Sequence, residues 1–116
     1  MPSPSEAAAS RPWELYLQDM QVFAARAVQY CQGKGITAFL EDHLLQDAVI
    51  RNIELIGEAA TRVPDHVREG KPEIPWRQII AMRNQLIHAY LGVDLEIVWD
   101  VVQSELPELL RQLAAD

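Results

Sequence analysis

Apolar residues in this chain return every three or four positions through four long stretches, each bounded by proline, glycine or a capping aspartate. That rhythm is the period of a helix laid against a core, and it leaves almost nothing that reads as a strand. The first stretch runs from about Pro12 to Gln32, with Tyr16, Met20, Phe23, Ala27 and Tyr30 on one side and Gly33 just past its end. Thr37 is placed to cap a short turn through Phe39 and Leu40. The second stretch, from Asp42 or His43 to Val63, presents Leu45, Val49, Ile53, Ile56, Ala60 and Val63 to one side. Gly57 in its middle costs about 1 kcal/mol relative to Ala, a cost that close approach of a neighbouring helix would offset. Residues 64–75, with Pro64, Gly70, Pro72 and Pro75, read as an irregular connector. The third stretch begins at Pro75 or Trp76 and runs to about Leu91, stopping at Gly92, with Ile79, Met82, Leu86 and Ala89 toward the core. Asp94 is a good N-cap for a fourth carrying Ile97, Val98, Val101 and Val102. Pro107 predicts a kink or restart before Leu109, Leu110 and Leu113. The expected fold is all-α, an up-and-down bundle of four to five helices.

At 116 residues the chain is long enough for one domain, here residues 12–116, with residues 1–11 as a loose Pro-, Ser- and Ala-rich tail. MPSPSEAAAS lacks the basic and apolar regions of a signal peptide, and no apolar run approaches the roughly 20 residues that span a bilayer. Cys31 is the sole cysteine and falls in an apolar stripe, so it reads as a buried thiol in a reducing, intracellular protein. The net charge of −7 argues against avid, non-specific binding to nucleic acid. The charge is uneven, however. Residues 51–90 hold six Lys or Arg against five acids, so the flanking segments carry the acidic excess.

Chemistry concentrates in RNQLIHAY, Arg83 to Tyr90. Arg83 offers a planar fork of donors suited to phosphate, and His88 an imidazole that titrates near neutrality. Five steps turn a helix by about 140°, so Arg83 and His88 do not share a face, whereas Asn84 and His88 do. A joint role needs either a helix that loosens toward Gly92 or a composite site built across a two-fold interface. Asn84 could orient His88 or bond the local backbone. Glu54 and Glu58 lie one turn apart but read as partners of Arg51 and Arg62, so no metal is assigned. His43 and His66 read as surface residues, and Trp76 and Trp99 as core or interface anchors.

DAVIRNIELIGEAA (residues 47–60), IPWRQIIAMRNQLIHAY (residues 74–90) and VDLEIVWDVV (residues 93–102) together resemble the HEPN superfamily. Within it they are most similar to the HepT-like toxins encoded beside minimal nucleotidyltransferases. The resemblance covers nearly the whole chain. It implies a two-fold dimer with the Arg83–Tyr90 helix facing the partner, Arg83 and His88 as catalytic residues, Asn84 in support, and no cofactor. It implies a cytoplasmic endoribonuclease toxin of a type VII-like toxin–antitoxin pair, cutting single-stranded RNA without a metal. Tyr90 would be the acceptor for AMP delivered by the cognate nucleotidyltransferase antitoxin, the modification silencing the site. A competing expectation is a non-catalytic helical partner that only binds, and is modified by, the nucleotidyltransferase. The acidic balance favours it, while a purely structural bundle would leave Arg83, Asn84, His88 and Tyr90 unexplained.

Overall fold

The computed structural model describes residues 11–89 and 92–115. Among them the regular elements are all helical: α1 (Trp13–Cys31), α2 (Ile36–Glu41), α3 (His43–Thr61), α4 (Asp65–Glu69), α5 (Trp76–His88), α6 (Leu95–Asp100) and α7 (Leu106–Ala114), with a π-helical segment, Val101–Glu105, joining the last two. The long α3 lies at the centre, packed against α1 on one side and α5 on the other, and α7 closes back onto α1. None of the described helices is long and apolar enough to cross a membrane.

The helix starts follow local chemistry. The Asp42 carboxylate accepts from the Leu45 amide at 3.0 Å and fixes the entry to α3. Asp94 accepts from the amides of Glu96 and Ile97 at 3.1 and 3.2 Å and opens α6. Each satisfies donors that a helix N-terminus otherwise leaves orphaned. Thr37, expected as a cap, instead lies inside α2, whose N-cap is Gly35. The connector after α3 is more ordered than its prolines suggest, because Pro64 leads into the single turn of α4.

Pro107 acts one turn upstream of itself. A proline ring has no N–H to donate and crowds the carbonyl four residues earlier, here that of Gln103. The helix accommodates this by widening over Val101–Glu105, so that the Leu106 amide bonds the carbonyl of Val101. The expected break is therefore a π-helical stretch followed by α7.

The core is built as patterned on α3, where Leu45, Val49, Ile53, Ile56, Ala60 and Val63 are all buried. On α1 the buried stripe is Met20, Ala24, Ala27 and Cys31, and Tyr30 is exposed. The small alanines let α1 approach α3 closely, which rotates the larger aromatics toward the flanks. Phe39 fills the space beneath α6, its ring 5.3 Å from that of Trp99. Two buried amides tie the loops down: Gln46 donates to the Phe39 carbonyl and Gln112 to that of Glu73, each at 2.9 Å. The indole N–H of Trp76 reaches the Lys71 carbonyl at 3.1 Å, so the start of α5 is pinned from two directions.

Candidate active site

Helix α5 carries the motif, and it is poorly covered. Of its thirteen residues only Leu86 is buried. Ile79 and Met82, expected in the core, are half-buried against it. On the outward side lie Asn84, Ile87 and His88, with Ile87 42% exposed, while Ile80 is half-buried against the core. Arg83 sits at the edge of this stripe, turned toward α3, and is half-buried.

Arg83 is held at both terminal nitrogens. Its Nη2 donates to Glu58 Oε2 of α3 at 2.5 Å, and its Nη1 donates to Oδ1 of the adjacent Asn84 at 2.8 Å. Its Nε is buried with no partner. A guanidinium has five N–H donors. With two engaged and Nε enclosed, one free N–H remains on each terminal nitrogen, enough for a two-point clasp on a phosphate.

Gly57 makes this arrangement possible. A Cβ at Gly57 would stand 2.2 Å from Arg83 Cβ and 3.2 Å from the Ile79 carbonyl oxygen. Only a residue without a side chain admits α5 so close to α3. The close approach expected of Gly57 is thus present, and the residue it admits is Arg83. Glu58, next in sequence, becomes the arginine's partner. It also receives Arg62 of its own helix at 3.3 Å, as the spacing suggested. The Arg83 contact was missed in the sequence because its partners stand 25 positions apart, and Glu58 carries no motif of its own. The Glu54–Arg51 pair, 3.6 Å apart, is also present.

His88 is the last residue of α5 and is exposed. The helix stops there, short of the expected Leu91, because Ala89 already leaves the helical region at φ −88° and ψ 79°. Five residues must carry the chain from His88 to the Asp94 cap, and Gly92 takes φ 152° on the way. Along α5 the five steps from Arg83 to His88 keep their turn of about 140°, so one helix does not bring both onto one face. Asn84 and His88, one turn apart, are both exposed on the outer side. Tyr90, the expected AMP acceptor, lies outside the described residues.

The motif occupies an open surface rather than a cavity. An apolar cleft of about 340 Å³ runs between α3, α5 and α7, lined by Ile53, Ile79, Met82, Ile97, Val101 and Leu109 among others. Neither Arg83, Asn84 nor His88 reaches it. His43 and His66 are exposed and stand on other helices. Among the described residues no three His, Cys, Asp or Glu side chains converge as metal ligands would.

Residues 20–115 match the family model described as Ribonuclease HepT-like. A protein of Thermococcus cleftensis, named a probable ribonuclease HepT, is 39% identical over 94 residues, which cover 81% of this chain and 86% of that one. A candidate RNase of Caldanaerobacter subterraneus is 35% identical over 98 residues, covering 84% and 88% of the two chains. Another, from Methanocaldococcus jannaschii, is 39% identical over 98 residues, covering 84% and 81%. No solved structure gives a significant match. The chain belongs to the HepT-like ribonuclease family.

Proposed function

We propose that this chain is a metal-independent endoribonuclease toxin that cleaves single-stranded RNA in the cytoplasm, as a homodimer. The observation that carries the reading is the preorganised Arg83: a half-buried guanidinium fixed by Glu58 and Asn84, with two N–H groups to spare, on the same helix as an exposed His88. RNA supplies its own nucleophile. The 2′-hydroxyl attacks the adjacent phosphorus, the P–O5′ bond breaks, and the products end in a 2′,3′-cyclic phosphate and a 5′-hydroxyl. His88 takes the proton from the 2′-oxygen or returns one to the 5′-oxygen, a contribution of about 10²–10⁴-fold. Arg83 holds the non-bridging oxygens, where charge builds as the fifth bond forms. Because its donors are already fixed, little reorganisation is needed at that moment.

A dimer meets two needs of this scheme. It supplies both an acid and a base from two copies of His88, and it covers the apolar residue that α5 leaves exposed, Ile87. Control falls to a cognate minimal nucleotidyltransferase that transfers AMP to Tyr90, two residues after His88. The added anion and adenosine would compete with RNA for Arg83 and cover the open surface around it.

The net charge of −7 favours a second reading, a non-catalytic partner and substrate of the nucleotidyltransferase. The discriminating experiment expresses the chain without its antitoxin. Toxicity that disappears in His88→Ala and in Arg83→Ala, with both variants folded, supports the ribonuclease. A wild type that neither harms the cell nor cuts RNA leaves the binding partner. Mass spectrometry after co-expression with the nucleotidyltransferase should find AMP on Tyr90, and Tyr90→Phe should stay toxic. Normal neutralisation of that variant would replace modification by simple complex formation.

A further inference from the structure

Arg83 and Arg62 converge on one carboxylate. Glu58 Oε2 lies 2.5 Å from Arg83 Nη2, and its other oxygen, Oε1, 3.3 Å from Arg62 Nη2. Glu58 and Arg62 come from α3 and its C-cap, Arg83 from α5, so the trio bridges the two helices. Its charges sum to one net positive. A bare Arg83–Glu58 pair would be neutral and a poor attractor of phosphate, and Arg62 restores the missing charge. Arg62 is itself 55% exposed, which screens its pairing and makes it worth little for stability. Arg83 differs: its side chain is 28% exposed, its Nε is enclosed, and its Cβ is pressed against Gly57. The arginine's stem is fixed by packing, and the orientation of its fork about that stem is fixed by Glu58 and Asn84.

We propose that Glu58 is a positioning residue of the RNA-cleaving site, orienting the Arg83 guanidinium toward phosphate, with Arg62 keeping the trio cationic. The inference rests on the ribonuclease reading above. It separates two consequences. Loss of the acceptor at residue 58 misaims Arg83 and lowers kcat, since about 1 Å of misplacement can cost on the order of 10²-fold. Loss of the charge at residue 62 weakens the hold on RNA and raises KM, with kcat kept.

The test compares Glu58→Ala, Glu58→Gln and Arg62→Gln with the wild type, each well below its melting temperature, for cleavage of a short single-stranded RNA. Glu58→Ala should lose at least about 10-fold in kcat. Glu58→Gln, whose amide oxygen still accepts from Arg83, should recover much of it. Arg62→Gln should raise KM several-fold and flatten its salt dependence. The NMR signal of the Arg83 Nε–H gives a readout independent of cleavage: slow exchange with water in the wild type, faster in Glu58→Ala. Glu58→Ala cutting as fast as the wild type, or faster, overturns the proposal, since the carboxylate would then be idle or competing with phosphate. Unchanged Nε–H exchange in that variant overturns it as well. If the wild type cuts no RNA, the ribonuclease reading falls by itself, and the exchange rate decides whether Glu58 holds Arg83.

Discussion

Gly57→Ala should destabilise the protein even though alanine is the better helix former. Placed mid-helix, the substitution gains about 1 kcal/mol in intrinsic propensity. Against this, the new methyl would stand 2.2 Å from Arg83 Cβ and 2.8 Å from its Cγ, where ordinary contacts begin near 3.4 Å. Arg83 Cβ is one bond from the backbone and cannot swing aside, so α3 and α5 must part by about 1.2 Å locally. Overpacking of this kind costs about 1–3 kcal/mol, and a clash with a Cβ belongs at the upper end. The net expectation is a loss of about 1–2 kcal/mol. Urea unfolding followed by far-ultraviolet circular dichroism, at one fixed protein concentration, should show the midpoint lowered by about 1 M with an unchanged slope. Parting the helices also stretches the Arg83–Glu58 contact, so RNA cleavage should fall by more than the folded fraction does. A midpoint equal to or above that of the wild type would refute the claim that Gly57 exists to admit Arg83.

Three further outcomes follow from single features. Asp94→Ala removes the acceptor for two amides at the start of α6 and should cost about 1 kcal/mol, seen as a melting temperature lower by about 4 °C; an unchanged melting temperature would show that this cap is not needed. Burial pushes the Cys31 thiol above its ordinary range, so alkylation should be slow in native buffer and fast in denaturant; rapid native labelling would contradict its place in the core. Ile87→Glu puts a charge on the outward stripe of α5 and should convert the proposed dimer to a monomer in light scattering, with the circular dichroism spectrum retained; a wild type that is already monomeric, or an unshifted mass, would contradict an interface on this stripe.

The sequence was most informative where a local rule decides the structure. Asp42 and Asp94 cap because their short carboxylates reach amides three residues on or nearer, and Gly57 marks close packing because nothing else justifies a glycine in mid-helix. The core of α3 followed directly from its period. Legibility failed where distant partners decide. On α1 Met20 and Ala27 are buried and Tyr16 and Phe23 pack against the core as the period implies, but Tyr30 is exposed and Ala24 and Cys31 take inner positions, a matter of which helix they meet. The end of α5 was misplaced because Ala89 leaves the helix three residues before the glycine that appeared to stop it. Pro107 signals a break in the last helix, yet the relief of that break through a widened helical turn depends on the carbonyls upstream. In the candidate site, Arg83, Asn84 and His88 stand out through the resemblance of RNQLIHAY to a family motif, not through their spacing, and the Glu58 contact has no sequence signal, since only the fold brings it across 25 positions to Arg83.

The central claim is that Arg83 and His88 drive attack by RNA's own 2′-hydroxyl. Its most direct test uses two oligonucleotides of one sequence, all-ribose and with 2′-deoxyribose at the cleaved position, incubated with purified protein in excess chelator. The ribose strand should be cut to fragments ending in a 2′,3′-cyclic phosphate, the deoxy position should be left intact, and His88→Ala should cut neither. Equal cutting of both strands, or cutting that chelator abolishes, would contradict it.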